Sequence, residues 1–184
     1  MGRVMAKKFR LLYSETCRNQ IKKLHPHLRP IIKLKIEQIR DIYTGRIKNW
    51  KELGGADLKI VVVGRDSSSG TFETFESLVM KGEKVNPEAL AQGSNKTIAT
   101  IVSTTDGAIG YVGLGYLNDT LKSLEVNGVK VNSDTVGIGK YPISRPLYMY
   151  TDGAPEGIAK QFIEFIWSEK GQEIVTEQGF VALK

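Results

Sequence analysis

Between residues 64 and 71 the chain reads Gly64-Arg65-Asp66-Ser67-Ser68-Ser69-Gly70-Thr71, which gathers one guanidinium, four hydroxyls and two glycines into eight positions. Arginine offers a planar fork that grips an oxyanion through two N–H groups. Ser69 and Thr71 add hydroxyl donors, and Gly70 lets the backbone approach a ligand closely. At the start of a helix such a run also presents the unpartnered N–H groups of the first turn and the positive end of the helix dipole. All of these donors are neutral or positive, as a desolvated anion requires. A plainer account fits the same spacing: Ser69 caps the helix, and Arg65 pairs with Asp66 or a surface acid. Ser67 and Ser68 are supporting candidates. So are Ser94 and Asn95, which open another helix after Gly93 and suit contacts, loop support or a simple N-cap.

Other chemistries fit less well. The spacing is not that of a nucleotide-binding Gly-x-x-x-x-Gly-Lys-Ser/Thr loop, since no lysine follows Gly70. Ser68 and Ser69 lack the Gly-x-Ser-x-Gly elbow of a serine hydrolase, and the two histidines, His25 and His27, stand far off near the N-terminus. His25, His27 and Cys17 make three potential metal ligands without a fourth, so no metal site is assigned. No cofactor motif is found, and the chain is not expected to be an enzyme.

The elements that must hold this loop follow from periodicity. Lys59 to Val63 is a β-branched run that reads as a buried strand entering the loop. Phe72, Phe75, Leu78 and Val79 give the following helix one apolar face, ending near Gly82. Ile36, Ile39 and Tyr43 recur at helical spacing before Gly45, and Ile47, Trp50 and Leu53 form a shorter face closed by Gly54-Gly55. Asn95 to Thr104 reads as a helix and Ala108 to Val112 as a strand. Asn127-Gly128 is a hairpin turn between residues 123–126 and 129–131. Pro146 to Tyr150 is a further strand, and a helix beginning near Pro155 carries Ile158, Phe162, Phe165 and Ile166 on one face. A last helix spans about Glu173 to Gln178. Trp50 and Trp167 are expected in the core, and Tyr111 and Tyr116 as cleft or packing residues. Strands and helices alternating in this order predict an α/β fold.

The chain has 184 residues, 41% of them hydrophobic and 25% charged, a balance that fits a globular protein and neither a disordered tail nor a fibre. The net charge of +6 is unevenly spread. Residues 1–40 carry 11 Lys and Arg against Glu15 and Glu37, whereas the remainder carries 15 against 18 acids. Residues 1–30 show no sustained period, and Pro26 and Pro30 interrupt any helix, so an irregular or weakly helical basic leader is expected over 1–34. No apolar run reaches the roughly 20 residues of a membrane span. The leader also lacks the apolar stretch of a secretory signal, so the chain as written is expected to stay in the cytoplasm.

Four segments, taken together, resemble the phosphate-binding proteins of phosphate ABC transporters. They are Ile39 to Gly55, Gly64-Arg65 through Ser69-Gly70-Thr71, Thr104 to Val112 with its Gly-Ala-Ile-Gly-Tyr, and Tyr141 to Leu147 followed by Glu169 to Val175. The resemblance covers about residues 35–184. It implies a periplasmic binding protein-like type II fold, two α/β lobes closing on a dehydrated anion, here with the first lobe incomplete. Residues 35–63 and 142–184 would be the remnant of the first lobe and 64–141 the second, with hinge strands near Val61 and Arg145. The family's phosphate contacts carry over to Arg65, Ser69, Gly70 and Thr71. Ser67 stands where many members place an acidic partner for the arginine, a part that Asp66 can take.

The resemblance also implies inorganic phosphate as ligand, permease subunits of an ABC transporter as partners, and a periplasmic or extracytoplasmic place. The family's first strand with its Ser/Thr anion loop, and its proton-accepting carboxylate, are not recognisable in residues 1–34. Half of the cleft is therefore expected to be missing, with weak affinity and weak selectivity over sulfate unless a homodimer repairs it through the helices at 36–43 and 155–166. Three origins fit the leader: a basic nucleic-acid arm, a solvated tail, or a stretch from a truncated gene or wrong frame. The last agrees best with the change of composition where the resemblance begins. A nucleic-acid-interacting protein and an anion-sensing module on the same fold remain the alternative functions, the former without a stacking set or binding motif to support it.

Overall fold

The computed structural model describes residues 3–14 and 33–183. Its strands are β1 (Arg3–Ser14), β2 (Lys33–Leu34), β3 (Val61–Arg65), β4 (Leu90–Gln92), β5 (Ala108–Gly113), β6 (Leu121–Ser123), β7 (Glu125–Val126) and β8 (Ser144–Tyr148). The α-helices are α1 (Ile36–Thr44), α2 (Gly70–Phe75), α3 (Asn95–Thr104), α4 (Ser133–Gly137), α5 (Gly157–Trp167) and α6 (Glu169–Glu177). Six strands form the main sheet in the order β4-β3-β5-β1-β6, with β8 added on β1. β3 is parallel to β4 and β5, and β1 is antiparallel to β5, β6 and β8.

The expectation of an irregular or helical leader is corrected over Arg3–Ser14, which is a long strand. Its first half, Met5 to Lys8, pairs with Leu147 to Ser144, and its second half, Phe9 to Tyr13, pairs with Gly113 to Ile109. Leu12 to Ser14 also faces Ser123 to Leu121 on the other side. The run Lys7-Lys8-Phe9-Arg10-Leu11-Leu12-Tyr13 does not alternate over its length, so it gives no period to read. The partner of β8 is β1, and β3 lies inside the sheet between β4 and β5.

The sheet is covered on both faces, and period two decides which residue goes where. Val62, Ile109 and Tyr111 point to one side and pack with Ile39, Ile42 and Tyr43 of α1 and Phe75 of α2. Val63, Ala108 and Val112 point to the other and pack with Ile98, Ala99 and Val102 of α3. A Cβ on Gly110 would lie 2.7 Å from Ile98 Cγ2 and 2.9 Å from Val102 Cγ2, so the missing side chain is what seats α3 so close to the sheet. Residues 35–63, expected with the first lobe, thus share one core with residues of the 64–141 segment. Tyr43 reinforces this by donating its hydroxyl to the Val63 carbonyl at 3.0 Å.

Most local signals give the elements they announce. Gly45 closes α1 in the left-handed region at φ 80°, and a 3-10 turn at Trp50–Leu53 ends on Gly54 at the same φ. Trp50 is buried and donates its indole N–H to the Gly107 carbonyl at 2.9 Å. The helix after the Gly64–Thr71 loop changes from α to π over Glu76–Met80 before Lys81 ends it. Asn127 and Gly128 both take positive φ, as the hairpin turn requires, but the turn is closed by a single bridge between Val126 and Val129. Glu125–Val126 instead pairs in parallel with Lys33–Leu34. Near the C-terminus the expectation of a buried Trp167 fails: it is 49% exposed, on a helix that packs chiefly on α6, and Ile158, Phe162 and Phe165 leave the apolar face of α5 exposed.

Candidate functional site

β3 delivers Arg65 to the rim of the sheet, and the loop to Ser69 turns the chain into α2. Ser69 is the N-cap, extended at φ −84° and ψ 126°, and its Oγ accepts the Thr71 N–H at 3.1 Å. Its own N–H goes to the Asp66 carbonyl at 3.2 Å. Asp66 folds the loop on itself, since Oδ1 accepts the Ser68 N–H at 3.1 Å and the Ser68 hydroxyl as well. These hydroxyl and backbone donors, with Arg65 nearby, hold the Asp66 carboxyl below the usual carboxylate range.

The Arg65 side chain is 13% exposed and each of its three nitrogens has a partner. Nε donates to the Gln92 carbonyl at 3.1 Å and Nη2 to the Gly93 carbonyl at 3.0 Å, while Nη1 reaches Asn95 Oδ1 at 3.3 Å. Asp66 Oδ2 is the acidic partner, at 3.4 Å from Nη2. The backbone N–H of Arg65 donates to the Tyr111 hydroxyl oxygen at 3.1 Å. The end of β4 and the first residue of α3 thus fix the guanidinium. Asn95 is a support of the arginine, and Asp66 takes the acidic part that Ser67 cannot. Ser94 acts as the N-cap of α3, accepting the Thr97 N–H at 3.0 Å. Ser67 and Ser68 are exposed.

Ser69 and Thr71 are buried, at 7% and 1% exposure, yet Thr71 Oγ1 has no hydrogen-bond partner among the described residues. The backbone N–H groups of Gly70 and Phe72 likewise show no partner there. A buried hydroxyl without a partner costs free energy unless a ligand or water supplies one. Next to free N–H groups at a helix start, the natural complement is an oxyanion. No hydrogen bond joins Arg65 to Ser69, Gly70 or Thr71; the Asp66 backbone and side chain link the two halves of the loop.

A cavity of about 250 Å³ opens behind the loop, lined by Arg65, Asp66 and Ser67 together with Tyr43, Phe72 and Tyr111. Ser69, Gly70, Thr71 and Asn95 do not line it. Its aromatic walls suit packing better than a dehydrated anion. Tyr111 is therefore a core ring whose hydroxyl serves the loop, and burial pushes that hydroxyl up to about 12. Tyr116 is 46% exposed.

Sequence reading missed one residue near the turn. Arg145 of β8 donates through Nη2 to the Gly70 carbonyl at 3.1 Å, a contact across 75 residues that no local spacing announces. Among the described residues no group of three or more His, Cys, Asp and Glu could hold a metal ion. The pair His25 and His27, with Cys17, lies outside the described residues.

Comparison with known proteins places these features in context. The profile of the PBP superfamily domain matches residues 3–170 and so takes in the β1 strand. Phosphate-binding protein PstS of Bacillus subtilis is 42% identical over 147 residues, which are 79% of this chain and 49% of that protein. The chain therefore spans about half the length of this curated relative. Among solved structures, a Clostridium perfringens protein assigned to the phosphate ABC transporter substrate-binding proteins, with phosphate bound, superposes with a TM-score of 0.79 at 34% identity. That match covers 100% of this chain and 71% of the other. An ABC-type phosphate transport receptor from Vibrio cholerae gives a TM-score of 0.80 at 32% identity over 98% of this chain and 71% of that one.

Proposed function

The chain belongs to the PBP superfamily, among the phosphate-binding proteins of phosphate ABC transporters, and on that premise we propose that it binds inorganic phosphate at the Ser69–Thr71 turn. The observation that carries this reading is the buried Thr71 hydroxyl, which has no partner among the described residues, set beside the N–H groups of Gly70 and Phe72, which have none there either. Arg65, held by Gln92, Gly93 and Asn95, supplies a positive charge that does not have to be ordered when the anion arrives. Ser69 contributes as the cap that fixes the turn.

The family is one of solute-binding transport proteins. In this reading the chain delivers phosphate to permease subunits on the outer side of the cytoplasmic membrane and performs no catalysis. Among the described residues no helix is long and apolar enough to cross a membrane. Of the two helices considered for a homodimer, α1 has Ile39, Ile42 and Tyr43 wholly buried, whereas α5 exposes Ile158 and Phe162. A basic arm free to lie along nucleic acid is not what residues 3–14 form, since their backbone is paired to β5, β6 and β8.

Calorimetric titration of the purified chain with phosphate, and separately with sulfate, tests the reading. Saturable heat with phosphate that disappears in Thr71→Val supports it. The absence of heat up to millimolar phosphate, from a chain that melts cooperatively, refutes it.

A further inference from the structure

Arg145 reaches the anion turn from another part of the sheet. Its Nη2 donates to the Gly70 carbonyl at 3.1 Å and lies 3.3 Å from Glu73 Oε2 in the first turn of α2. The same nitrogen is 3.1 Å from the point where a Cβ on Gly70 would stand, so a side chain there would push the guanidinium back by a few tenths of an ångström. Among the described residues the buried Arg145 Nε has no hydrogen-bond partner, and neither has Thr71 Oγ1 one residue beyond Gly70. A buried N–H of a cation left unspent is costly in a turn that has only its own dipoles to satisfy. It becomes favourable when negative charge enters beside it.

Resting on the phosphate reading above, we propose that Arg145 is the second positive charge of the anion site, a positioning residue that braces the helix start through Gly70 and strengthens its hold on phosphate. Glu73, whose side chain is 69% exposed, damps that charge in the empty protein. β8 is hydrogen-bonded to β1, whose far half lies between β5 and β6, so the brace ties the anion turn to the strand that runs through the sheet.

A brace alone and a charge acting on the anion make different demands. A brace needs the planar fork, so lysine would replace arginine as poorly as alanine does. A charge needs only to be present, and its effect is screened by salt.

The test is calorimetric titration of the full chain with inorganic phosphate at low and at physiological ionic strength, on the unsubstituted protein, Arg145→Ala, Arg145→Lys and Glu73→Gln, each with its melting temperature. The expected result is a loss of about tenfold or more in Arg145→Ala, as for removal of one charge-assisted contact. Arg145→Lys recovers part of it, and Arg145→Ala shows a weaker salt dependence than the parent. Glu73→Gln, on an exposed side chain, melts unchanged and binds several-fold tighter. Equal affinity of the Lys and Ala variants, an unchanged salt dependence, or weaker binding by Glu73→Gln overturns the inference while leaving phosphate binding intact. If Arg145→Ala does not fold, Glu73→Gln and Arg145→Lys decide the matter alone. Failure of the unsubstituted chain to bind phosphate overturns the phosphate reading and this inference with it.

Discussion

Tyr111 accepts the backbone N–H of Arg65 on its hydroxyl oxygen at 3.1 Å while its ring stacks on Phe75, with centroids 4.0 Å apart and planes within 5°. One side chain therefore serves both core and loop, and the direction in which β3 delivers Arg65 depends on how that core is packed. Tyr43 completes the set, tilted against Phe75 at 4.5 Å and against Tyr111 at 5.7 Å.

Tyr111→Phe should keep the fold and lose the acceptor. Leaving a part-buried N–H unsatisfied costs about 1–3 kcal/mol. Urea unfolding should show that loss with an unchanged slope, and phosphate titration should show weaker binding, because Arg65 is then held less firmly. Unaltered stability would mean that water replaces the hydroxyl without cost.

The same residue predicts an alkaline limit. Burial raises the Tyr111 hydroxyl from 10.0 to about 12, and it raises Tyr43 as well. A raised folded value favours the neutral form, so this part of the stability is complete below pH 10 and is lost as pH rises from 10 towards 12. For Tyr111 that amounts to roughly 2–3 kcal/mol at the top of the range. Unfolding free energy measured from pH 8 to 11.5 should stay level and then fall, and it should fall less steeply in Tyr111→Phe.

How much of this was legible in the sequence depends on whether the partner was local. Asn95–Thr104 was read from its period, and Ser69 and Ser94 as caps from their place before helices, because each depends on neighbours within a few residues. β1 was not, since its residues do not alternate over its length and its basic residues imitate a tail. The Gly64–Thr71 loop was visible as a run of donors, but what orders it was not. Arg65 is held by backbone carbonyls of Gln92 and Gly93, and a carbonyl has no letter in the sequence. Trp167 reads as core because it lies on an apolar helix face, yet period tells only that a face is apolar and not that something covers it.

Gly107 marks a place where the fold tolerates no side chain. It has φ 75°, and a Cβ there would lie 2.4 Å from the Lys59 carbonyl oxygen. Its own carbonyl accepts the Trp50 indole at 2.9 Å, so the backbone cannot move away freely. Gly107→Ala should destabilise by about 1–3 kcal/mol or more from backbone strain alone. Thermal melting should show a clear drop, whereas Gly128→Ala, in open space at φ 74°, should lose less.

Arg65→Lys separates the fork from the charge at the loop itself. The guanidinium spends Nε on Gln92 O, Nη2 on Gly93 O and Nη1 on Asn95, three directions that a single ammonium cannot reproduce. Two carbonyls and an amide oxygen then lose a charged donor, so phosphate affinity should fall by about tenfold or more even though the charge remains. Arg65→Ala should fall further, because the positive charge that offsets Asp66 is gone as well. Titration with phosphate, ranked parent, lysine, alanine, is the expected order. A lysine variant that binds like the parent would show that the anion reads only charge at this position, and the geometry around Gln92 and Gly93 would then serve the fold of the loop and not its ligand.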